Sequence, residues 1–298
     1  VDSFVTLLDP EEEGRFYYFH AHSLHRPYVN SQGLYNTTKA MQYIGNSNNI
    51  TRELHNVNLR HQFKRKYNSS KIQENFEKVL FNVTAGGIKK NFTIQDVEEL
   101  HERYQRQVEY VDGAHAPLYA YLKEHFWDNS IIVFYSNHGD GLFDNGIIGH
   151  GVGYQFNSHV PLLMHHPYYE SPLVIDTPVS LIDLAPSVYD ILGISLDHYI
   201  GGTTFIPLIV PEEGREYDRE YVFGRDFQDS YVRDRGWKLM VFGSKFMELY
   251  NLTIDPKEHT IVTQDHQEIA DRLFQIHNTK KREVLNQAQL FNETHGSD

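Results

Sequence analysis

The chain has no cysteine, which excludes a disulfide framework, a thiolate metal site and a cysteine nucleophile within it. Nor does any apolar run approach the roughly 20 residues that a membrane-spanning helix requires. The opening stretch VDSFVTLLDPEEEGRF lacks the basic flank and long apolar core of a signal peptide. It also lacks an initiator methionine, so the expectation is a processed product or a piece of a longer protein. Basic charge is scarce as well. Lys and Arg total 27 against 40 Asp and Glu, a formal net charge of −13. Long-range repulsion from a polyanion then argues against general nucleic-acid binding.

What is present is ample for a packed core: 298 residues, 40% hydrophobic and 13% aromatic, too apolar for a disordered chain. Seven N-x-S/T sequons occur, at Asn36, Asn49, Asn68, Asn82, Asn91, Asn251 and Asn292. Chance alone gives about two or three in a chain of this composition, so the sequons point to a secreted, extracellular or cell-surface glycoprotein. Five of them fall between residues 36 and 93, which places that stretch on the surface.

Along the chain, FYYFHAH (16–22) reads as a buried strand that delivers polar residues at its C-terminal end. Residues 30–93 are polar and Asn-rich and read as a long insertion with some helix. The basic residues Arg60, Lys64, Arg65, Lys66 and Lys71 within it read as a solvated helix face, or as a local patch for an anionic polymer. Residues 95–126 carry Val97, Leu100, Tyr104, Val108, Val111, Leu118 and Leu122 at near-helical spacing and read as one long amphipathic helix, with Pro117 bending it or starting a second. SIIVFYSN (130–137) reads as a strand buried on both faces. A Gly-rich loop follows, HGDGLFDNGIIGHGVGY, then a strand at 160–164 and a helix within 179–193 ending at Gly193. Alternation of this kind predicts an α/β sandwich with a largely parallel sheet. From residue 215 onward, short strands with an Arg235-Gly236 turn predict a small antiparallel sheet, and 265–289 a closing helix.

In an open α/β sheet, ligands bind beyond the carboxyl ends of the strands. Two positions fit: HAHSLHRPY, with His20, His22 and His25, and Asn137-His138 followed by His150. An amide oxygen and an imidazole nitrogen can each ligate a divalent cation. The glycines around them (Gly139, Gly141, Gly146, Gly149, Gly151 and Gly153) let the backbone approach a bound anion. Residue chemistry leaves an alternative open. Asn137 can serve simply as a residue tolerant of an unusual backbone angle, and His138 as a strand cap.

Six segments, in order across residues 14–262, carry a family resemblance. SIIVFYSNHGD resembles the sulfatase segment of an apolar strand followed by S-D-H-G-[DE]. GIIGHGVGYQFNSHVPLLM is similar to its G-[KH]-G-x-x-Y-x-x-x-x-x-V-P-L stretch. VSLIDLAPSVYDILGI, GGTTFIPLI and MELYNLTIDPKEH resemble its V-S-L-x-D-L-x-P, G-x-S-L-x-P-L and E-L-Y-D-L-x-x-D-P-x-E signatures. FYYFHAHSLHRPY resembles its strand ending in D-x-H-x-P-Y. The resemblance implies a sulfatase, of the alkaline-phosphatase-like superfamily, represented by its C-terminal portion. The implied fold is α/β, a partial α/β/α sandwich over residues 1–214 with the polar, glycosylated insertion at 30–93. A subdomain of antiparallel strands and closing helix then occupies 215–298.

The resemblance also implies roles. His25 falls on the histidine that contacts sulfate or phosphate oxygens, and Asn137 and His138 on the paired metal ligands. His150 falls on a position usually held by a lysine, where some relatives carry histidine, so His25 and His150 are the implied catalytic and substrate-binding pair. Tyr154, Pro161, Asp183 and Pro186 fall on structural positions. His20, His22, His159, His165 and His166 receive no role. The implied cofactor is a divalent cation, Ca2+ first, with Mg2+, Mn2+ and Zn2+ as alternatives. The implied reaction is hydrolysis of a sulfuric or phosphoric ester outside the cell, on a sulfated glycan or related anionic ester.

Three departures bear on this. Neither the family's first-strand pair of acidic metal ligands nor its nucleophile segment precedes FYYFHAH in this chain. Asn137 stands where the family carries Asp, which removes a full negative charge from a cation's shell. His150 stands where lysine is commoner. The expected partner is therefore the missing N-terminal portion of the same protein, and the alternative reading is a catalytically inactive sulfatase-like surface glycoprotein.

Overall fold

The computed structural model describes residues 5–11, 13–21, 81–85, 88–92, 94–145, 147–150, 153–167, 169, 171–195, 200–211, 213–217, 219–225, 229–243 and 246–295. His22, His25, Asn36, Asn49, Asn68 and the basic run at 60–71 lie outside them. The chain forms two compact units, one from Val1–His150 with Val160–Ser171, the other from Gly151–His159 with Pro172–Asp298.

In the first unit, β1 (Phe81–Ala85) and β2 (Ile88–Phe92) form an antiparallel hairpin in which Asn82 pairs with Asn91. The sequence reading of 30–93, a long insertion with some helix, did not include this hairpin. Its signal is Gly86-Gly87 between two β-prone runs, a common hairpin-turn pair. Helix α1 (Ile94–His125) runs unbroken through Pro117 for 32 residues. Its buried line is Leu100, Arg103, Gln107, His115 and Leu118, one residue every turn or two turns. Val108, expected in the core, stands off that line and is exposed. Leu118 joins Leu8 and Phe126 in a small core flanked by Tyr17, Leu122 and Ile132.

Residues 16–21 form no strand, against expectation, and Phe16 is 85% exposed. A strand needs a neighbour for its N–H and C=O groups, and none of the described strands pairs with it. Strand β3 (Ile132–Tyr135) forms as read, but it pairs antiparallel with β6 (Leu162–His165) in a two-stranded sheet. The largely parallel sheet is therefore not found among the described residues, where every pairing is antiparallel. Between β3 and β6 the chain makes the hairpin of β4 (Gly141–Asp144) and β5 (Ile147–Gly149) rather than the crossover helix that parallel pairing demands. Nor is β3 sealed on both faces. The paired Phe134 and Leu163 are 52% and 59% exposed.

The second unit is built on the antiparallel sheet β10-β9-β8-β7, comprising β7 (Val222–Arg225), β8 (Asp229–Arg233), β9 (Trp237–Phe242) and β10 (Phe246–Asn251). Asp234 shapes the β8–β9 turn by accepting from the Gly236 and Trp237 amides at 2.9 and 2.7 Å. Strand alternation gives the sheet two unlike faces. Val232, Leu239, Val241 and Leu249 meet Ala270 and Leu273 of the closing helix, whose range Gln267–His295 matches the sequence expectation. Each of the larger side chains sealed there contributes about 1.5–3 kcal/mol of transfer free energy.

The opposite face presents Tyr231, Lys238, Met240, Glu248 and Tyr250 and is covered by residues 153–158, which include the short helix Gln155–Ser158. A Cβ on Gly153 would fall 2.7 Å from the Tyr231 ring. Tyr154 donates to Glu248 at 2.9 Å, the Gln155 amide to Glu258 at 2.6 Å, and Lys238 to Ser158 at 3.3 Å. Glu258 adopts φ +59, a conformation a glutamate rarely takes, and the bonds to its carboxylate hold it there.

Beside the sheet, Ser180 and Asp183 form a capping box ahead of the helix Leu184–Ile191. Gly193 at φ +64 closes that helix, with its amide on Asp190 and the Ile194 amide on Tyr189, the paired bonds of a left-handed C-terminal cap. The fully buried Asp183 carboxylate accepts from the Ser180 and Thr203 amides, Tyr217 and Arg219.

Candidate active site

Strand β3 ends at Tyr135, and the turn that follows carries the chemistry. The Ser136 amide donates to Pro161 O at 3.4 Å, and the Ser136 hydroxyl reaches forward to His138 O at 2.7 Å. These two bonds fix the backbone that presents Asn137, which is exposed, and His138, which is half-buried. His138 Nδ1 lies 2.8 Å from Gly139 O. A carbonyl only accepts, so Nδ1 carries a proton, and the neutral ring has its lone pair on Nε2.

The hairpin returns the chain to the same place. Gly141 pairs with Gly149, so the residues flanking that pair, Asp140 and His150, come next to each other. His150 Nδ1 stands 3.5 Å from Asp140 Oδ1, with the side chains 26% and 10% exposed. The His150 ring also stacks on His138, with centroids 4.1 Å apart and planes inclined by 24°. Gly149 has φ +103, which an L side chain resists, so glycine is needed to close the hairpin there. A bulge between Leu142 and Asp144 leaves the buried Phe143 at φ +84, backbone strain of the kind found beside functional sites. Tyr104 of α1 lies close enough to sense the cluster. Burial raises its pKa, and the Asp140 charge raises it further.

The structure thus brings His138 and His150 together, two residues to which the family resemblance gives roles, and adds Asp140, to which the sequence reading gave none. Its signal was available, since Asp140 ends the same S-N-H-G-D segment. The remaining histidines go elsewhere: His20 to Tyr18 at 3.3 Å, His165 onto the Trp127 ring with centroids 3.5 Å apart, His166 against Tyr169. Burial lowers the pKa of His166, and His165 beside it lowers it further.

Two imidazoles and a carboxylate at one strand end can bind, donate protons to and accept protons from the oxygens of an anionic ester. A calcium shell is a different matter. Calcium takes six to eight oxygen ligands, carboxylates prominent among them. Among the described residues, no three His, Cys, Asp or Glu side chains converge to hold a metal ion. The donors at this turn, one amide and one imidazole with a carboxylate already facing His150, do not fit such a centre by themselves.

The family model described as "Sulfatase" matches residues 1–194. The chain belongs to the sulfatase family. A second model, "N-sulphoglucosamine sulphohydrolase, C-terminal", matches residues 141–283. Arylsulfatase K of Danio rerio is 24% identical over 180 residues, covering 56% of this chain and 34% of that protein, so the chain spans about a third of such a relative. Two solved structures show the sulfatase-like fold. BT4656, in complex with its substrate D-glucosamine-2-N,6-O-disulfate, has TM-score 0.55 at 21% identity, over 64% of this chain and 42% of that one. The phosphonate monoester hydrolase of Agrobacterium radiobacter has TM-score 0.52 at 23% identity, over 66% and 43%. Within the sulfatase fold, the described part of this chain holds the strand-end histidines and the C-terminal sheet with its helix.

Proposed function

We propose that the protein to which this chain belongs hydrolyses a sulfuric ester, or a phosphoric ester, and that this chain supplies the positive, proton-handling side of the site. The observation that carries the reading is the stack of His150 on His138 with Asp140 beside it, on a member of the sulfatase family. In this reading His150 donates to the bridging oxygen of the leaving alcohol. His138, its Nδ1 proton committed to Gly139 O, presents Nε2 to a cation or to the ester. His25, which lies outside the described residues, contacts the non-bridging oxygens. The nucleophile comes from the remainder of the protein, as do further ligands for a divalent cation, Ca2+ first among the alternatives, with Asn137 and His138 as two of its ligands.

A sulfated glycan is the substrate class we favour, in keeping with the glucosamine disulfate bound by BT4656. The same reading makes the chain an extracellular glycoprotein modified at its sequons. At Asn251 the side-chain oxygen already accepts the Thr253 amide at 3.1 Å within its own sequon. We further assign the exposed Phe134–Leu163 pair to contact with the remainder of the same protein.

A second reading has an observation of its own. Asn137 replaces the family's aspartate, which favours a catalytically inactive sulfatase-like glycoprotein with a binding or structural role. Assaying the full-length protein on matched aryl sulfate and aryl phosphate esters separates the two. Turnover that collapses in a folded His150→Ala variant supports the hydrolase. A folded, intact protein with no turnover on either ester or on sulfated glycan overturns it in favour of the second reading.

A further inference from the structure

Ala270, Leu273 and His277 lie three and four residues apart, on the one stripe by which the closing helix (Gln267–His295) meets the sheet. Two of the three are what a core stripe calls for. The third is a histidine, 7% exposed, whose Nε2 lies 2.8 Å from the Ser230 hydroxyl of β8 and whose ring stacks parallel on Phe274 at 6.3 Å. We propose that His277 is a pH-operated latch, sealing the far half of the closing helix to the C-terminal sheet when neutral and loosening it when protonated.

Among the described residues, the strands facing His277 offer no carboxylate to answer a positive charge. Ser230 is a neutral partner. Its register partners are Val241 on β9 and Arg225 on β7, so paired strands put one aliphatic and one cation on that side of the sheet. Asp229 falls on the opposite face by strand alternation, as do Tyr231, Arg233 and Lys238. On the helix itself, Lys281 stands one turn on. Burial lowers the pKa of His277, the Asn278 side chain opposes this, and the Lys281 charge lowers it further. Protonation would thus bury a cation beside a cation, with no carboxylate on the facing strands to pair it.

The sign follows from linkage. An unfolded histidine titrates near 6.5, and His277 is held below that in the fold. Its contribution to stability is complete above about pH 6.5 and is lost as pH falls through the folded value. The loss should be local, because Ala270 and Leu273 keep the first turns seated on Val232, Leu239 and Leu249.

Hydrogen exchange of the full-length protein tests the latch. Between pH 7.5 and 5.0, after correction for intrinsic exchange rates, amides of residues 274–285 should lose protection. Residues 267–273 should change less, and His277→Gln, which keeps a neutral polar group facing Ser230, should abolish the pH-dependent loss. An equal loss in His277→Gln, or none in the parent, overturns the proposal. Should the variant fail to fold, the imidazole of the parent can be titrated by NMR. A midpoint below 6.5 supports the latch, and one at or above 6.5 overturns it. None of these outcomes depends on whether the protein is a hydrolase.

Discussion

Lys238 and Glu258 meet at 2.8 Å with both side chains entirely sealed from solvent. The ammonium also reaches Gln155 and Ser158 and lies 4.7 Å from the centre of the Tyr231 ring. Burial pulls its pKa down to about 8, against the pull of the Glu258 carboxylate, so the lysine stays charged at neutral pH. Removing one partner strands the other. Lys238→Met alone should destabilise the protein by about 3–5 kcal/mol, whereas adding Glu258→Leu to it should restore much of the loss. Urea unfolding of the two variants checks this, and a double variant no more stable than the single one contradicts it.

Two glycines should respond differently to alanine. At Gly202 a Cβ would fall 2.1 Å from the Ile182 carbonyl oxygen, a backbone atom that cannot swing aside. Gly202→Ala should destabilise by at least about 2 kcal/mol. At Gly193 nothing lies within 4 Å, and only the left-handed φ of +64 resists a side chain. There the change should cost about 1 kcal/mol. Thermal or urea unfolding that ranks them the other way would refute the assignment.

His150→Ala in the full-length protein should lower kcat/KM for the preferred ester by about 100-fold or more, the scale of losing one proton donor. Steady-state kinetics with circular dichroism as a fold control measures it. A drop of less than threefold would remove His150 from the chemistry.

Asn137→Asp places a charged oxygen at the exposed turn. In the full-length protein it should tighten calcium binding by about tenfold if a cation sits there. Titration calorimetry with calcium alone gives the answer, and unchanged affinity argues that the position is not a ligand.

The exposed Phe134 supplies a further test of the assignment to the rest of the protein. If that portion covers it, Phe134→Ser in the full-length protein should destabilise by about 2 kcal/mol or more. If it faces water, the change should stay within about 0.5 kcal/mol.

Much of this was legible in the sequence, and the misses share one cause. Helix 94–125, the strands between Val222 and Asn251 and the closing helix follow from local periodicity, and the family resemblance singles out both His138 and His150. In WKLMVF the alternation places Lys238 opposite Leu239, which reads as a solvent face. Its burial depends on Gln155 and Ser158, about 80 residues earlier, and no window of sequence holds both. The strand expected at 16–22 failed for the same reason. Its aromatic content is a local property, but a strand exists only beside a neighbour. At the candidate site, Asp140 ends the S-N-H-G-D segment, and it comes beside His150 only through the hairpin that pairs Gly141 with Gly149.

The C-terminal unit is discontinuous, and that determines how it would come apart. A protease cutting the chain between 160 and 171 would sever its two segments without separating them, because residues 153–158 would still be held by Glu248, Glu258, Lys238 and Tyr231. A fragment starting at Pro172 would instead expose a bare lysine–glutamate pair and a naked aromatic face. Supplying the 151–159 stretch as a separate peptide would then work as complementation: the sheet carries a socket, and this strap is its plug.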